Sequence, residues 1–314
     1  MCTRRVIVVG VSLLYFGGEK LIEYSCELGR ALKMSPMVVG LTIVAFGTSA
    51  PEMATTLMAS ERGASAMAFG NVVGSNIANL ALVLGLTAMV GPISTHARFL
   101  RREMPIVILV GLMLLPVLRV HVIERSVGAL FLFLLIPYLW LLLRDERESE
   151  AVEAEFAEEF GGEAVLRPKC LLGVVVSSVM LVGGAHTLID GAVSVAQVYE
   201  VSERVIGLTL LALGTSLPEL ASCLAAARKG EGDIVLGNLV GSNIFNVLAV
   251  LGTAAMIHPV EIPENAGVAV DLAVMIGTSV VLLGLIVRDF YLSRLEGGCL
   301  VAGYIYYISY LLVK

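Results

Sequence analysis

An all-α integral membrane protein, with ten transmembrane helices in two five-helix repeats of inverted topology, is the fold the sequence predicts. Three observations predict it. The 314-residue chain is 57% hydrophobic and only 15% charged, against about 25% charged in a soluble domain. Apolar stretches of roughly 17–25 residues, each enough to cross a hydrocarbon core of about 30 Å, recur along almost its whole length. The first half of the chain also returns in the second half, motif for motif.

The ten expected crossings are 6–24, 36–60, 65–91, 103–120, 126–143, 170–198, 204–227, 233–257, 267–287 and 298–313. The first begins after Arg4 and Arg5 and superficially resembles a signal peptide. No small-x-small cleavage site closes it, and Glu19, Lys20 and Glu23 follow, so a retained helix is expected. The 32 glycines suit closely packed membrane helices. Residues 144–169 form the one long polar stretch, whose Glu148–Glu163 part reads as a solvated linker between halves. The domains are therefore 1–143, an acidic cytoplasmic linker 144–169, and 170–314. The net charge of −6 is concentrated in that linker and gives no reason to expect a nucleic-acid partner. The five cysteines, Cys2, Cys26, Cys170, Cys223 and Cys299, lack metal-ligand spacing and read as small apolar filler.

The duplication settles the architecture. Residues 38–85 align with 205–252 at a constant offset of 167 without a gap, and 25 of 48 positions are identical. Gly17-x3-Leu21-Ile22-Glu23 likewise aligns with Gly184-x3-Leu188-Ile189-Asp190. Unrelated apolar helices would not agree at Asn, Ser, Thr, Pro and Glu. Five crossings per half is an odd number, so the second half enters the membrane from the opposite side and matched segments meet near the midplane. With the N-terminus outside, the inner loops hold thirteen Lys and Arg against seven outside. By the positive-inside rule both termini are expected to be extracellular.

Inside otherwise apolar helices stand Glu52 and Glu219. A carboxylate at a bilayer centre costs about 2.5–3.5 kcal/mol on insertion scales, so it implies function. Each follows Gly-Thr-Ser-x-Pro: Gly47-Thr48-Ser49-Ala50-Pro51 and Gly214-Thr215-Ser216-Leu217-Pro218. A mid-helix proline would free the carbonyl four residues back, that of Gly47 or Gly214, and glycine allows the bend. A broken helix with exposed carbonyls is expected, and such backbone survives at membrane depth only when buried in protein or lining a cavity. Thr48 and Ser49 fall on the helical face of Glu52, as Thr215 and Ser216 do for Glu219. In the following helices Asn71, Ser75 and Asn79 recur at steps of four, matched by Asn238, Ser242 and Asn246. Oxygens of these kinds, with no converging His or Cys, favour hard cations such as calcium or sodium. Gly70-x3-Gly74 and Gly237-x3-Gly241 read as close-packing devices. Two converging carboxylates repel each other; one divalent cation balances both, and monovalent ions in neighbouring oxygen sites would compete with it. Antiport follows from that mutual exclusion.

The blocks GTSAPE…GNVVGSNIAN and GTSLPEL…GNLVGSNIFN resemble the two alpha-repeats of the calcium/cation antiporter superfamily, and within it the prokaryotic sodium/calcium exchangers most. The resemblance covers nearly the whole chain. It implies calcium held by Glu52, Glu219 and the backbone oxygens of Thr48 and Thr215. Sodium would use the carbonyls of Ala45 and Ala212 with Ser49, Ser216, Ser75 and Ser242, and a central position would lie near Asn79 and Asn246. It also implies that the first and sixth helices slide over a rigid core. Gly17-Gly18 and Gly183-Gly184 would serve there as flexible points or as packing contacts. Position 246 is Asn where the potassium-dependent branch carries Asp, which argues against potassium coupling. The proton/calcium branch resembles Gly-Asn-x-x-Glu at the glutamates and is the alternative; a passive cation channel is the reading from another class. The short central linker leaves no room for the large calcium-sensing domains of animal exchangers.

No His-Glu-x-x-His, Gly-x-Ser-x-Gly or paired aspartates occur, and His96, His121, His186 and His258 are scattered. No enzymatic activity and no cofactor are expected. The partners are inorganic cations and the lipid bilayer of the cell membrane, with a monomer as the simplest assembly. Asp190, His186 and Asp271 look buried and read as helix-end or pairing residues.

Overall fold

A computed structural model describes residues 2–32, 34–147, 168–198, 212–262 and 266–313. The Glu148–Glu163 stretch and positions 204–211 of the seventh expected crossing lie outside the described residues. Within them the chain is almost wholly helical.

The first half opens with α1 (Cys2–Ala31), which continues straight through Glu19, Lys20 and Glu23. Then come α2 (Pro36–Val39), a π-helical turn (Gly40–Val44), α3 (Ala45–Thr48) and α4 (Ala50–Glu61). α5 (Ser65–Ile77) runs through a second π-helical segment (Ala78–Val83) into α6 (Leu84–Val90). α7 (Ala97–Leu112), α8 (Val117–Val120) and α9 (Arg125–Arg147) complete it. The second half repeats the order: α10 (Pro168–Val198), α11 (Ala212–Thr215), α12 (Leu217–Arg228) and α13 (Gly232–Phe245). A π-helical segment (Asn246–Leu251) leads into α14 (Gly252–Ile257), then α15 (Ala266–Asp289) and α16 (Arg294–Val313).

Among the described residues, six stretches are long and apolar enough to cross a membrane, or seven if the bent pair Pro36–Thr48 and Ala50–Glu61 counts as one span. Ten were expected. The difference is local: α1 carries Glu19, Lys20 and Glu23 within its apolar run, and 199–211, where the seventh expected crossing begins, are not described.

Burial separates central from peripheral helices. Of the most apolar window of Gly232–Ile257, 100% is buried inside the protein, against 22% for Arg125–Arg144 and 28% for Gly267–Asp289. A helix apolar all round belongs in a core or in lipid; α13 and its extension take the first place, α9 and α15 the second. Phe133, Ile136, Trp140, Val179 and Tyr306 lie on an exposed apolar surface of the kind a bilayer covers.

Small residues let the central helices touch. A Cβ on Gly237 would lie 2.5 Å from the Met37 carbonyl oxygen, and one on Gly241 2.8 Å from Leu41 Cα, so α13 packs backbone to backbone against α2 and the first π turn. A Cβ on Gly70 or Gly74 would meet no described atom of another segment within 4 Å; the counterpart of Met37–Leu41 is 204–208, outside the described residues. A Cβ on Gly17 would lie 3.1 Å from the Leu181 side chain, one on Gly18 2.8 Å from the Ala221 carbonyl oxygen and one on Gly184 2.9 Å from the Leu14 nitrogen. These three therefore act as contacts holding α1 along α10 and α12.

Four two-residue strands tie the halves together at their edges. β1 (Ile93–Ser94) pairs antiparallel with β4 (Tyr291–Leu292), and β2 (Val122–Ile123) with β3 (Val260–Glu261). Each pair takes one strand from either half.

Candidate cation site

The chain breaks where the duplicated motif predicts, but two residues before the prolines. Ser49 (φ −79°, ψ 6°) leaves the helix between α3 and α4, and Ser216 (φ −88°, ψ 6°) does so between α11 and α12. The two parts of the first break meet at 46°. Pro51 and Pro218 therefore sit in the first turn of α4 and α12. There a missing N–H costs nothing, because the first four N–H groups of a helix have no partner within it. The expected mid-helix proline is corrected accordingly. Glu52 and Glu219 fall in those same first turns, where the helix dipole favours an anion.

Both glutamates are fully buried, at 0% exposure. They meet across the halves: Ser49 Oγ donates to Glu219 Oε1 at 3.4 Å, and the carboxyls of Glu52 and Glu219 lie within electrostatic reach of each other. The hydroxyls of Thr48, Ser49 and Ser242 surround Glu219; that of Ser242 sits beside it without reaching hydrogen-bond geometry. Thr215, Ser216 and Ser75 are buried as well.

Buried side-chain oxygens with no hydrogen-bond partner concentrate here. Among the described residues they are both carboxylate oxygens of Glu52, Oε2 of Glu219, the hydroxyls of Ser75, Ser216 and Ser242, and the amide oxygens of Asn79 and Asn246. The only others are the hydroxyls of Ser25 and Thr95. Leaving a buried polar atom unmatched costs about 1–3 kcal/mol each. A hard cation takes six to eight oxygens, and this donor set of carboxylate, hydroxyl and amide oxygen fits one.

One expectation changes at this level. Asn71 and Asn238 do not face the cage. Asn71 Nδ2 donates to Thr56 Oγ1 (2.9 Å) and to the Glu52 carbonyl (3.4 Å), tying α5 to α4. Asn238 Nδ2 reaches Ser222 Oγ (3.1 Å) and Cys223 Sγ (3.3 Å) on α12, and its Oδ1 accepts from Thr48 (3.1 Å). Steps of four on a helix of 3.6 residues per turn rotate by about 40° each, so the first member of each stripe turns away from the third. The Ala45 carbonyl, an expected sodium ligand, accepts from Ser49 N–H (3.0 Å) and lies 3.4 Å from Thr48 Oγ1, whose one proton has Asn238 Oδ1 nearer at 3.1 Å. Ala212 opens α11 on the other side.

Sequence reasoning passed over Asn76 and Asn243. Each Nδ2 donates to the other's backbone carbonyl, at 3.2 and 3.1 Å, and each Oδ1 accepts from an amide of the pair Asn246 and Asn79, at 3.0 and 3.2 Å. The signal was available in Gly74-Ser75-Asn76 and Gly241-Ser242-Asn243, identical at the repeat offset. Glu103 was also missed: it is buried beside Arg102 and accepts from Tyr138 Oη at 3.3 Å. Asp271 accepts from Tyr307 Oη at 2.7 Å, a pairing residue as expected. His186 is exposed, not buried, and the Asp190 side chain lies outside the described residues. An apolar cavity of ≈ 340 Å³, lined by Phe46, Met53, Phe245 and Ala249 among others, opens beside Ser49.

The profile of the family described as "Sodium/calcium exchanger protein" matches residues 5–144 and 169–313. The chain belongs to the sodium/calcium exchanger family. This family member is 37% identical to a putative antiporter, CaxA, of Alkalimonas amylolytica over 98% of its length and 97% of that protein. It is 29% identical to the sodium/calcium exchanger MaX1 of Methanosarcina acetivorans over 98% and 97%. Among solved structures, the sodium-calcium exchanger NCX_Mj, from a crystal soaked with 2.5 mM Na+ and 0.1 mM Ca2+, superposes with a TM-score of 0.82. The two are 30% identical, with 98% of both chains covered. The fold is that of a multi-pass membrane exchanger, and the chain is an antiporter of inorganic cations in that superfamily.

Proposed function

We propose that this protein exchanges calcium for sodium across the cell membrane by alternating access, with Glu52 and Glu219 as the shared calcium carboxylates. The observation that carries the reading is the meeting of two fully buried glutamates from opposite halves, with three of their four carboxylate oxygens unbonded. Calcium brings two positive charges to two negative ones. Backbone oxygens of Thr48 and Thr215 would complete its shell. Ser49, Ser75, Ser216 and Ser242 would hold sodium, and Asn79 and Asn246 a central position. The Ala45 and Ala212 carbonyls would join the sodium sites.

The same reading gives ten crossings in inverted repeats, 1–143 and 170–314, joined by the 144–169 linker on the cytoplasmic side, with both termini outside. The exchanged strand pairs and the reciprocal Asn76–Asn243 bonds support it, because a two-fold axis in the membrane plane produces contacts of that kind. The packing of α1 along α10 through Gly17 and Gly184 supports their moving as a pair. The likeness to MaX1, named a sodium/calcium exchanger, favours sodium over protons as the driving ion.

Radioactive calcium uptake into liposomes holding the purified protein tests the reading. Uptake driven by an outward sodium gradient and indifferent to collapse of a pH gradient is expected. Uptake that follows only the pH gradient would make it a proton/calcium antiporter, and flux needing no counter-ion gradient would make it a channel.

A further inference from the structure

We infer that Asn76 and Asn243, which the proposed exchange leaves without a role, are positioning residues that fix which end of the Asn246 and Asn79 amides faces the central ion. The inference deepens that proposal and rests on it. A side-chain amide is ambivalent: its oxygen attracts a cation and its NH2 repels one, and half a turn about the last torsion exchanges them. What prevents the exchange begins at two backbone carbonyls, which can only accept. The Asn243 carbonyl takes the Asn76 NH2 at 3.2 Å, and the Asn76 carbonyl takes the Asn243 NH2 at 3.1 Å. Both Oδ1 atoms are thereby committed to the opposite side. There Asn76 Oδ1 accepts from Asn246 Nδ2 at 3.0 Å and Asn243 Oδ1 accepts from Asn79 Nδ2 at 3.2 Å. Turning Asn79 or Asn246 over would set oxygen against oxygen and strand a buried NH2.

All four asparagines are at most 3% exposed, so water cannot substitute for a lost partner. The amide oxygens left over, Oδ1 of Asn79 and Asn246, are the two without a partner. Both residues stand at or beside the start of a π-helical segment, at Ala78–Val83 and Asn246–Leu251, a distortion frequent at functional sites. The centre of the site thus presents two carbonyl-type oxygens, with the NH2 groups of Asn79 and Asn246 turned to Asn243 and Asn76. Residues that do not face it impose that polarity.

A double-mutant cycle tests this, because a residue acting through another loses its effect when that other is gone. Half-saturating sodium for calcium uptake into liposomes is measured for wild type, N76A, N246A and N76A/N246A, and for N243A with N79A in the same way. N76A is expected to raise it about tenfold, the factor for ~1.4 kcal/mol, and less than twofold when N246A is already present. Equal factors in both backgrounds, or no effect of N76A at all, would overturn the inference. Should N76A fold poorly, N76D retains the acceptor for Asn246, replaces the NH2 bridge to Asn243 and adds a carboxyl group. Sodium dependence within threefold of wild type supports positioning, and loss of it assigns Asn76 to bridging alone. If wild type proves indifferent to sodium, the proposed exchange fails separately. The cycle is then measured on half-saturating calcium, where a lost N76A effect in the N246A background supports positioning and an equal effect overturns it.

Discussion

Two kinds of intramembrane carboxylate stand side by side in this molecule. Glu103 and Asp271 are held by phenols, from Tyr138 and Tyr307, and Glu103 by Arg102 as well. Glu52 and Glu219 are buried as deeply as any group in the chain and keep three of four oxygens unbonded. The first kind is satisfied within the protein and serves to join neighbouring helices, α7 to α9 and α15 to α16. The second kind is unstable as it stands and needs a charge from outside. Burial alone therefore does not mark a functional carboxylate in a membrane; burial without a partner does.

Removing one negative charge from the unpaired kind should have the largest effect. Glu52→Gln and Glu219→Gln are each expected to lower calcium transport more than 100-fold, with melting temperature in detergent unchanged or raised, since each mutation removes a buried repulsion. Next comes the frame that brings the carboxylates together. Gly241→Ala would force a methyl to within 2.8 Å of Leu41 Cα and its carbonyl oxygen. Overpacking of this sort costs about 1–3 kcal/mol, so a lower melting temperature and reduced transport should occur together. Glu103→Gln is expected to lower thermal stability while leaving transport per folded molecule within about threefold; a loss like that of Glu52→Gln would erase the distinction between the two kinds. Smallest is Tyr307→Phe, which removes one hydrogen bond worth about 1 kcal/mol and should shift melting slightly without touching flux.

Much of this was legible in the sequence, because the duplication made it so. Helix ends such as Ser65, Gly232 and Ile257 fall within a residue or so of positions read from hydropathy, and the breaks before Glu52 and Glu219 follow from Gly-Thr-Ser-x-Pro. What stayed hidden depended on rotation about the helix axis and on pairing between segments far apart in sequence. Asn71 and Asn79 occupy one stripe on paper, yet the accumulated rotation turns Asn71 toward Thr56. Asn76, one position from Ser75, resembles an ordinary interhelical residue in the sequence; only the fold brings it to Asn243 and Asn246. Glu103 sits among Arg101 and Arg102 and reads as part of a helix-end charge run, whereas the fold turns its carboxyl inward to Tyr138.

Equilibrium calcium binding to the purified, detergent-solubilised protein, measured by titration calorimetry in sodium-free buffer, addresses the role of the two glutamates most directly. One calcium ion per chain is expected for wild type, with binding abolished in both Glu52→Gln and Glu219→Gln and retained in Glu103→Gln. Undiminished binding in either of the first two variants would contradict it.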